Sequence, residues 1–140
     1  MTNTVTSSNI LLGNKKVVYY VTIASDGSEE TDLVVFDSSA VAALFQVDKL
    51  DPLNCRITKL TYSTNSVLGV VHLEWDASTD VLAWAFPPAA SGEWDFKEIG
   101  GLKNTATSPT GDITLTTTGL VNLDKISLII EVDPKYPTVR

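Results

Sequence analysis

Short runs of alternating apolar and polar residues, each closed by a turn signal, recur along the chain and constrain its fold more than any other feature. A period of two marks a strand, because successive side chains of an extended backbone point to opposite faces. Lys15 to Ser25 puts Val17, Tyr19, Val21 and Ile23 on one face and Val18, Tyr20, Thr22 and Ala24 on the other. Both faces are largely apolar, so this strand is either central or covered from outside its own sheet. Asp26-Gly27 reads as a hairpin turn with a return strand from Glu29 to Phe36. Further runs follow at Cys55–Ser63, Val67–Trp75, Asp80–Phe86, Glu93–Ile99, Asp112–Thr118 and Asp124–Val132. In the third of these Leu82, Trp84 and Phe86 share a face, and in the last Ile126, Leu128, Ile130 and Val132 do.

One segment breaks the rhythm. Asp37-Ser-Ser-Ala-Val-Ala-Ala-Leu-Phe-Gln46 starts with residues that cap a helix and continues with alanines. The spacing predicts one short helix near residues 37–46, too short to stand alone, which docks through Val41, Leu44 and Phe45. About eight or nine strands with turn signals every 8–12 residues or so predict an all-β protein, a two-sheet β-sandwich of jelly-roll type. Composition agrees: 17 Thr, 15 Val and 8 Ile are β-branched residues suited to a pleated surface. The 140 residues form a single domain, with extended terminal arms expected at about 1–9 and 133–140. Gly13-Asn14 reads as a turn and Asp48–Asn54 as a loop.

Charge and rare residues narrow the function. Ten Lys and Arg against 17 Asp and Glu give a net charge of −7. The cations are scattered, so no nucleic-acid surface is expected. No run approaches the roughly 18 apolar residues of a membrane span, and Met1-Thr-Asn-Thr-Val-Thr-Ser-Ser has neither part of a secretion signal. A soluble chain made without export is therefore expected. One Cys and one His supply neither a disulfide nor a structural zinc site. Cys55 and His72 lie in separate strand-like runs and read as a buried small hydrophobe and a strand histidine rather than a catalytic pair.

The acids fall into four sets: Glu29-Glu30-Asp32, Asp48/Asp51, Glu74/Asp76/Asp80 and Glu93/Asp95/Glu98. Glu74 and Glu93 are the pair that could face each other across a glycosidase cleft. Solvated strand faces and turn caps explain all four sets more simply, and no enzymatic activity is expected. Asp76-Ala-Ser-Thr-Asp80 offers hard oxygen donors for calcium but lacks the Asp-x-Asp-x-Asp-Gly loop, and it reads as a hairpin turn. The glycines at 100, 101 and 111 do not match a phosphate loop. No metal and no cofactor are expected. Trp75 and Trp84 are in phase with apolar neighbours and read as core. Trp94, flanked by charges after a Pro/Gly loop, is the candidate exposed aromatic, and with Val18 and Tyr20 it forms the candidate interface.

Three stretches carry a family resemblance: Thr4-Val-Thr-Ser-Ser-Asn-Ile-Leu-Leu-Gly13 into Lys15-Lys-Val-Val-Tyr, Thr31-Asp-Leu-Val-Val-Phe-Asp-Ser-Ser39, and Gly100-Gly-Leu-Lys-Asn104 leading to Thr110-Gly-Asp-Ile-Thr-Leu-Thr-Thr-Thr-Gly-Leu120. In these the chain resembles small virion structural proteins of tailed bacteriophages, the capsid decoration (cement) or minor capsid class. The resemblance implies a non-enzymatic β-domain that binds the major capsid protein or another virion protein, often as a trimer. It implies assembly in a bacterial cytoplasm, and a pI near 4.5 favours the outer capsid surface over one facing packed DNA. The alternative is a carbohydrate-binding β-sandwich module, which requires at least two exposed, coplanar aromatics.

Overall fold

A computed structural model describes residues 3–12, 16–27, 29–44, 55–89 and 91–133. The described residues form nine strands: β1 Thr4–Leu12, β2 Lys16–Asp26, β3 Leu33–Phe36, β4 Arg56–Thr64, β5 Val70–Ala77, β6 Val81–Phe86, β7 Ser91–Asp95, β8 Pro109–Thr118 and β9 Asn122–Asp133. Helix α1 spans Ser38–Leu44, and a single 3₁₀ turn covers Lys97–Ile99. The first sheet has the order β1-β2-β9-β4-β7 and the second β3-β8-β5-β6. Every pair is antiparallel.

The pairs β2·β9, β3·β8, β4·β7 and β5·β6 are nested, as if one long hairpin with its bend between β5 and β6 had been rolled into two layers. The roll adds the contacts β4·β9 and β5·β8 and closes a jelly roll, to which β1 is appended beside β2. The core lies between the sheets. Val17, Val21 and Ile23 of β2 meet Ile126, Leu128, Ile130 and Val132 of β9 on one side, and Val71, Leu73, Ile113 and Leu115 line the other. The face read for β2 and the face read for β9 are the ones that turn inward, with Tyr19 of β2 only partly buried.

Asp37 caps α1: its Oδ1 accepts the Ser39 and Ala40 N–H groups at 3.1 and 3.2 Å. Val41 and Ala42 are the buried residues of the helix. The Leu44 side chain, Phe45, Gly13-Asn14, the 48–54 loop and the tail from 134 onward lie outside the described residues.

Several expectations are corrected. Asp26-Gly27 does not close a hairpin: β2 and β3 belong to different sheets, and the chain crosses the sandwich between them. The return strand shrinks to Leu33–Phe36, because Glu29 and Glu30 bond to the β8 end instead. Of the two readings of residues 1–9, an extended arm or an edge strand, the second holds from Thr4 onward: β1 pairs with β2 of its own chain, and Val5 packs against the core. Val67 precedes its strand rather than starting it, and Glu93–Ile99 divides into β7 and the 3₁₀ turn. A register shift between Leu73 and Glu74 inserts a residue into β6, so Trp84 stands opposite Leu73 while Leu82 stands opposite Glu74 on the outer face. Leu82 is exposed as a result.

Candidate interaction surface

Four connections converge at one end of the sandwich: β2–β3, β4–β5, β6–β7 and β8–β9. Buried and half-buried hydrogen bonds tie them together. Glu29 in the first accepts the Leu120 N–H at 3.1 Å and also the Gly119 N–H, both in the fourth. Ser66 in the second is fully buried. Its hydroxyl donates to Asp124 Oδ2 at 2.7 Å and accepts the Gly69 N–H at 2.8 Å, and its carbonyl accepts the Ala89 N–H of the third at 2.7 Å. Asp124 Oδ2 also accepts the Val121 N–H at 2.9 Å. Gly119, at φ +87°, lies so close to Leu68 that a Cβ there would stand 2.9 Å from the Leu68 carbonyl oxygen.

This rigid apex presents apolar side chains to solvent. Val67 and Leu68 are each 74 % exposed, Leu123 75 % and Val121 55 %. Leu123 also adopts φ +75°, a conformation a bulky residue rarely takes without being held in it. Single surface aliphatics are ordinary, but four on adjoining, pinned loops form a patch.

From Leu123 the outward positions of β9 continue through Lys125, Ser127 and Ile129 to Glu131. Ile129 stands opposite Tyr20 in the register, and Val18 follows opposite Glu131. Tyr20 and Ile129 are about 40 % exposed. The outer face of the first sheet therefore has an apolar centre, with a shallow trough lined by Thr4, Thr22, Ala24, Lys125 and Ser127 on its apex side. A charge cluster marks the opposite end, where Glu131 bonds Lys16 at 2.8 Å and Thr58 Oγ1 at 3.1 Å, with Lys97 at 3.7 Å. Burial by itself would raise the Glu131 carboxyl, but the bonds from Lys16 and Thr58 and the two ammonium charges outweigh it and hold it below the usual range. The outer edge of β1 is unpaired among the described residues. Thr-Val-Thr-Ser-Ser-Asn-Ile-Leu-Leu carries no charge and no proline, the usual guards of a free edge.

Val18 and Tyr20 thus lie together on this outer face. Trp94 does not join them. It is half-buried on the inner side of β7, its ring 5.4 Å from Phe86 and 6.2 Å from Trp84, tilted about 60° to each. With Tyr62 and Phe96 these rings fill the gap between edge strands β6 and β7. Trp75 is core, as expected.

The chemical constellations do not assemble. Cys55 is buried between the sheets, whereas His72 lies on the outer face of the second sheet. Glu74 is on that same outer face, but Glu93 is on the outer face of the first sheet beside Lys59, at 3.3 Å, so the two carboxylates point away from each other. Asp76 Oδ2 accepts the Thr110 hydroxyl at 2.8 Å, and Asp80 Oδ1 accepts the Ala77 N–H at 3.1 Å. A grouping absent from the sequence reading joins Asp80 to Asp32 and Glu74, with one oxygen from each within 4.8 Å of the others. Desolvation and the neighbouring charges of Asp80 and Glu74 hold the Asp32 carboxyl above its ordinary value. The apex was missed as well. Its local signal was aliphatic pairs beside turn glycines, Val67-Leu68-Gly69 and Gly119-Leu120-Val121.

No family model matches the chain, and no curated protein matches it. Among solved structures, a carbohydrate binding module of family 29 aligns over 96 % of this chain and 77 % of its own, at 10 % identity and a TM-score of 0.36. A likeness of that degree carries no argument.

Proposed function

We propose that this protein is a non-enzymatic structural protein of a bacteriophage virion, a decoration protein that docks on the major capsid lattice and stabilises the shell. The observation that carries this reading is the apex. Val67, Leu68, Val121 and Leu123 are displayed on two connections and the start of β9, pinned by buried and half-buried hydrogen bonds, so little conformational entropy is lost when a partner covers them. The uncharged edge of β1 and the Val18/Tyr20/Ile129 strip offer further contact area, by strand addition to a neighbouring copy or to the shell. An acidic chain fits the outer capsid surface, away from packed DNA. A trimer is the assembly favoured by the resemblance to cement proteins.

The test uses shells assembled from the major capsid protein encoded with this chain. The wild-type protein is expected to co-sediment with them and raise their melting temperature. A Leu68→Ser/Leu123→Ser variant is expected to fold with nearly unchanged stability, both side chains being exposed, and to lose shell binding. A wild-type chain that stays monomeric and leaves such shells unbound and unstabilised overturns the proposal.

A further inference from the structure

We propose that Asp32, Glu74 and Asp80, with Thr114 opposite Glu74 on the same face, form a calcium site on the outer face of the second sheet. The three carboxylates come from separate parts of the chain. Asp32 precedes β3, Glu74 lies on β5 and Asp80 precedes β6, yet one oxygen from each falls within 4.8 Å of the others. Like charges this close repel unless a proton or a cation lies between them. The ion pairs of the described residues, Lys16–Glu131, Lys59–Glu93 and Lys97–Glu131, all involve a residue of the first sheet, and none reaches this cluster.

Thr114 supplies the independent observation. Ile113 and Leu115 point into the core, so Thr114 points outward, and in the register it stands directly opposite Glu74. An outward threonine on a sheet is ordinarily wet. This one is 2 % exposed, and its Oγ1 has no hydrogen-bond partner. Asp32 reaches this face one row away, where its N–H bonds Thr116 Oγ1 at 3.1 Å and that hydroxyl donates to Glu74 Oε1 at 2.8 Å. Asp80 approaches from the β5–β6 turn. A shielded hydroxyl oxygen and three carboxylates therefore share one small region of the sheet.

The donors select the metal. All are hard oxygens, with no imidazole or thiolate to favour zinc or copper. They come from a strand and two loop ends in an irregular arrangement open to water. Calcium tolerates this, whereas magnesium demands near-octahedral geometry at about 2.1 Å. A bound ion would link the short edge strand β3 to β6 across β5 and β8.

The experiment titrates the full-length protein with CaCl₂ by calorimetry and records melting curves in EDTA, calcium and magnesium. The expected result is saturable binding with a Kd in the range of about 10⁻⁴ to 10⁻³ M. The melting temperature should rise by about 4 °C at roughly ten times Kd, with a smaller response to magnesium. Glu74→Gln and Asp80→Asn should each lose the calcium response while melting at or above the wild-type temperature in EDTA, because one repelling charge is gone. Thr114→Val keeps the shape of the side chain and should weaken calcium binding while raising the melting temperature in EDTA. Equal wild-type melting temperatures in EDTA and calcium with no calorimetric heat overturn the proposal. So does a calcium response that survives in both carboxylate variants, and so does calcium affinity fully retained in Thr114→Val.

Discussion

Replacing Ser66 with alanine should loosen the apex and destabilise the whole domain. Ser66 is fully buried, and its hydroxyl does two things at once: it donates to Asp124 Oδ2 at 2.7 Å and accepts the Gly69 N–H at 2.8 Å. Asp124 is itself largely buried and would keep only the Val121 N–H among the bonds described for that oxygen. Losing a hydrogen bond to a charged group costs about 1.5–3 kcal/mol, and stranding a buried amide costs about 1–3 kcal/mol. Partial relaxation of the loop keeps the expected total near 3–4 kcal/mol, or roughly 10 °C in melting temperature for a domain of this size. Urea denaturation should show the loss as a lower midpoint with an unchanged slope. Ser63→Ala, at an exposed position on β4, should stay within about 0.5 kcal/mol of wild type and serves as the control. A double-mutant cycle with Asp124→Ala should return a coupling of about 1–2 kcal/mol. A Ser66→Ala protein as stable as wild type would refute the claim that this buried network holds the β4–β5 and β8–β9 connections together.

Other perturbations have equally definite outcomes. Glu131→Gln should cost about 1 kcal/mol at neutral pH, a modest figure because Lys16 is partly solvated. The folded-state carboxyl lies below its ordinary 4.5, so this stabilisation is present above that value and is lost as the pH falls through the folded pKa; urea midpoints of wild type and variant should converge in strong acid. Asp37→Ala removes the cap of α1 and should cost about 1 kcal/mol by chemical denaturation. The Ser39 hydroxyl holds that carboxyl below 3.8, so this difference too should vanish in strong acid. Gly119→Ala combines a positive φ with a Cβ pressed on the Leu68 carbonyl and should lose about 2 kcal/mol in a thermal melt.

Alternation is a local property, and what depends on it was legible in the chain. Val17, Val21 and Ile23 face inward from β2, and Ile126, Leu128, Ile130 and Val132 from β9, because an extended backbone turns every second side chain the same way. The helix was legible for the same kind of reason: Asp37 caps it through atoms two and three residues away. Bulges interrupt that logic. One inserted residue in β6 sends Leu82 outward while Trp84 stays inward, and no local pattern marks the insertion. Asp26-Gly27 carries the signature of a hairpin, but the rolled topology gives β2 the partners β1 and β9 and sends β3 to the other sheet. Pairing is settled by which long-range packing buries the most apolar surface, not by the turn between two strands. The surfaces argued to act here are of that kind. Val67 and Leu123 are 56 positions apart in sequence, and Asp32, Glu74 and Asp80 come from one strand and two connections. Residue types fixed in advance that these side chains were aliphatic or acidic; only the roll of the sandwich decided which of them meet, because contact between distant residues is a property of the closed fold and not of any segment within it.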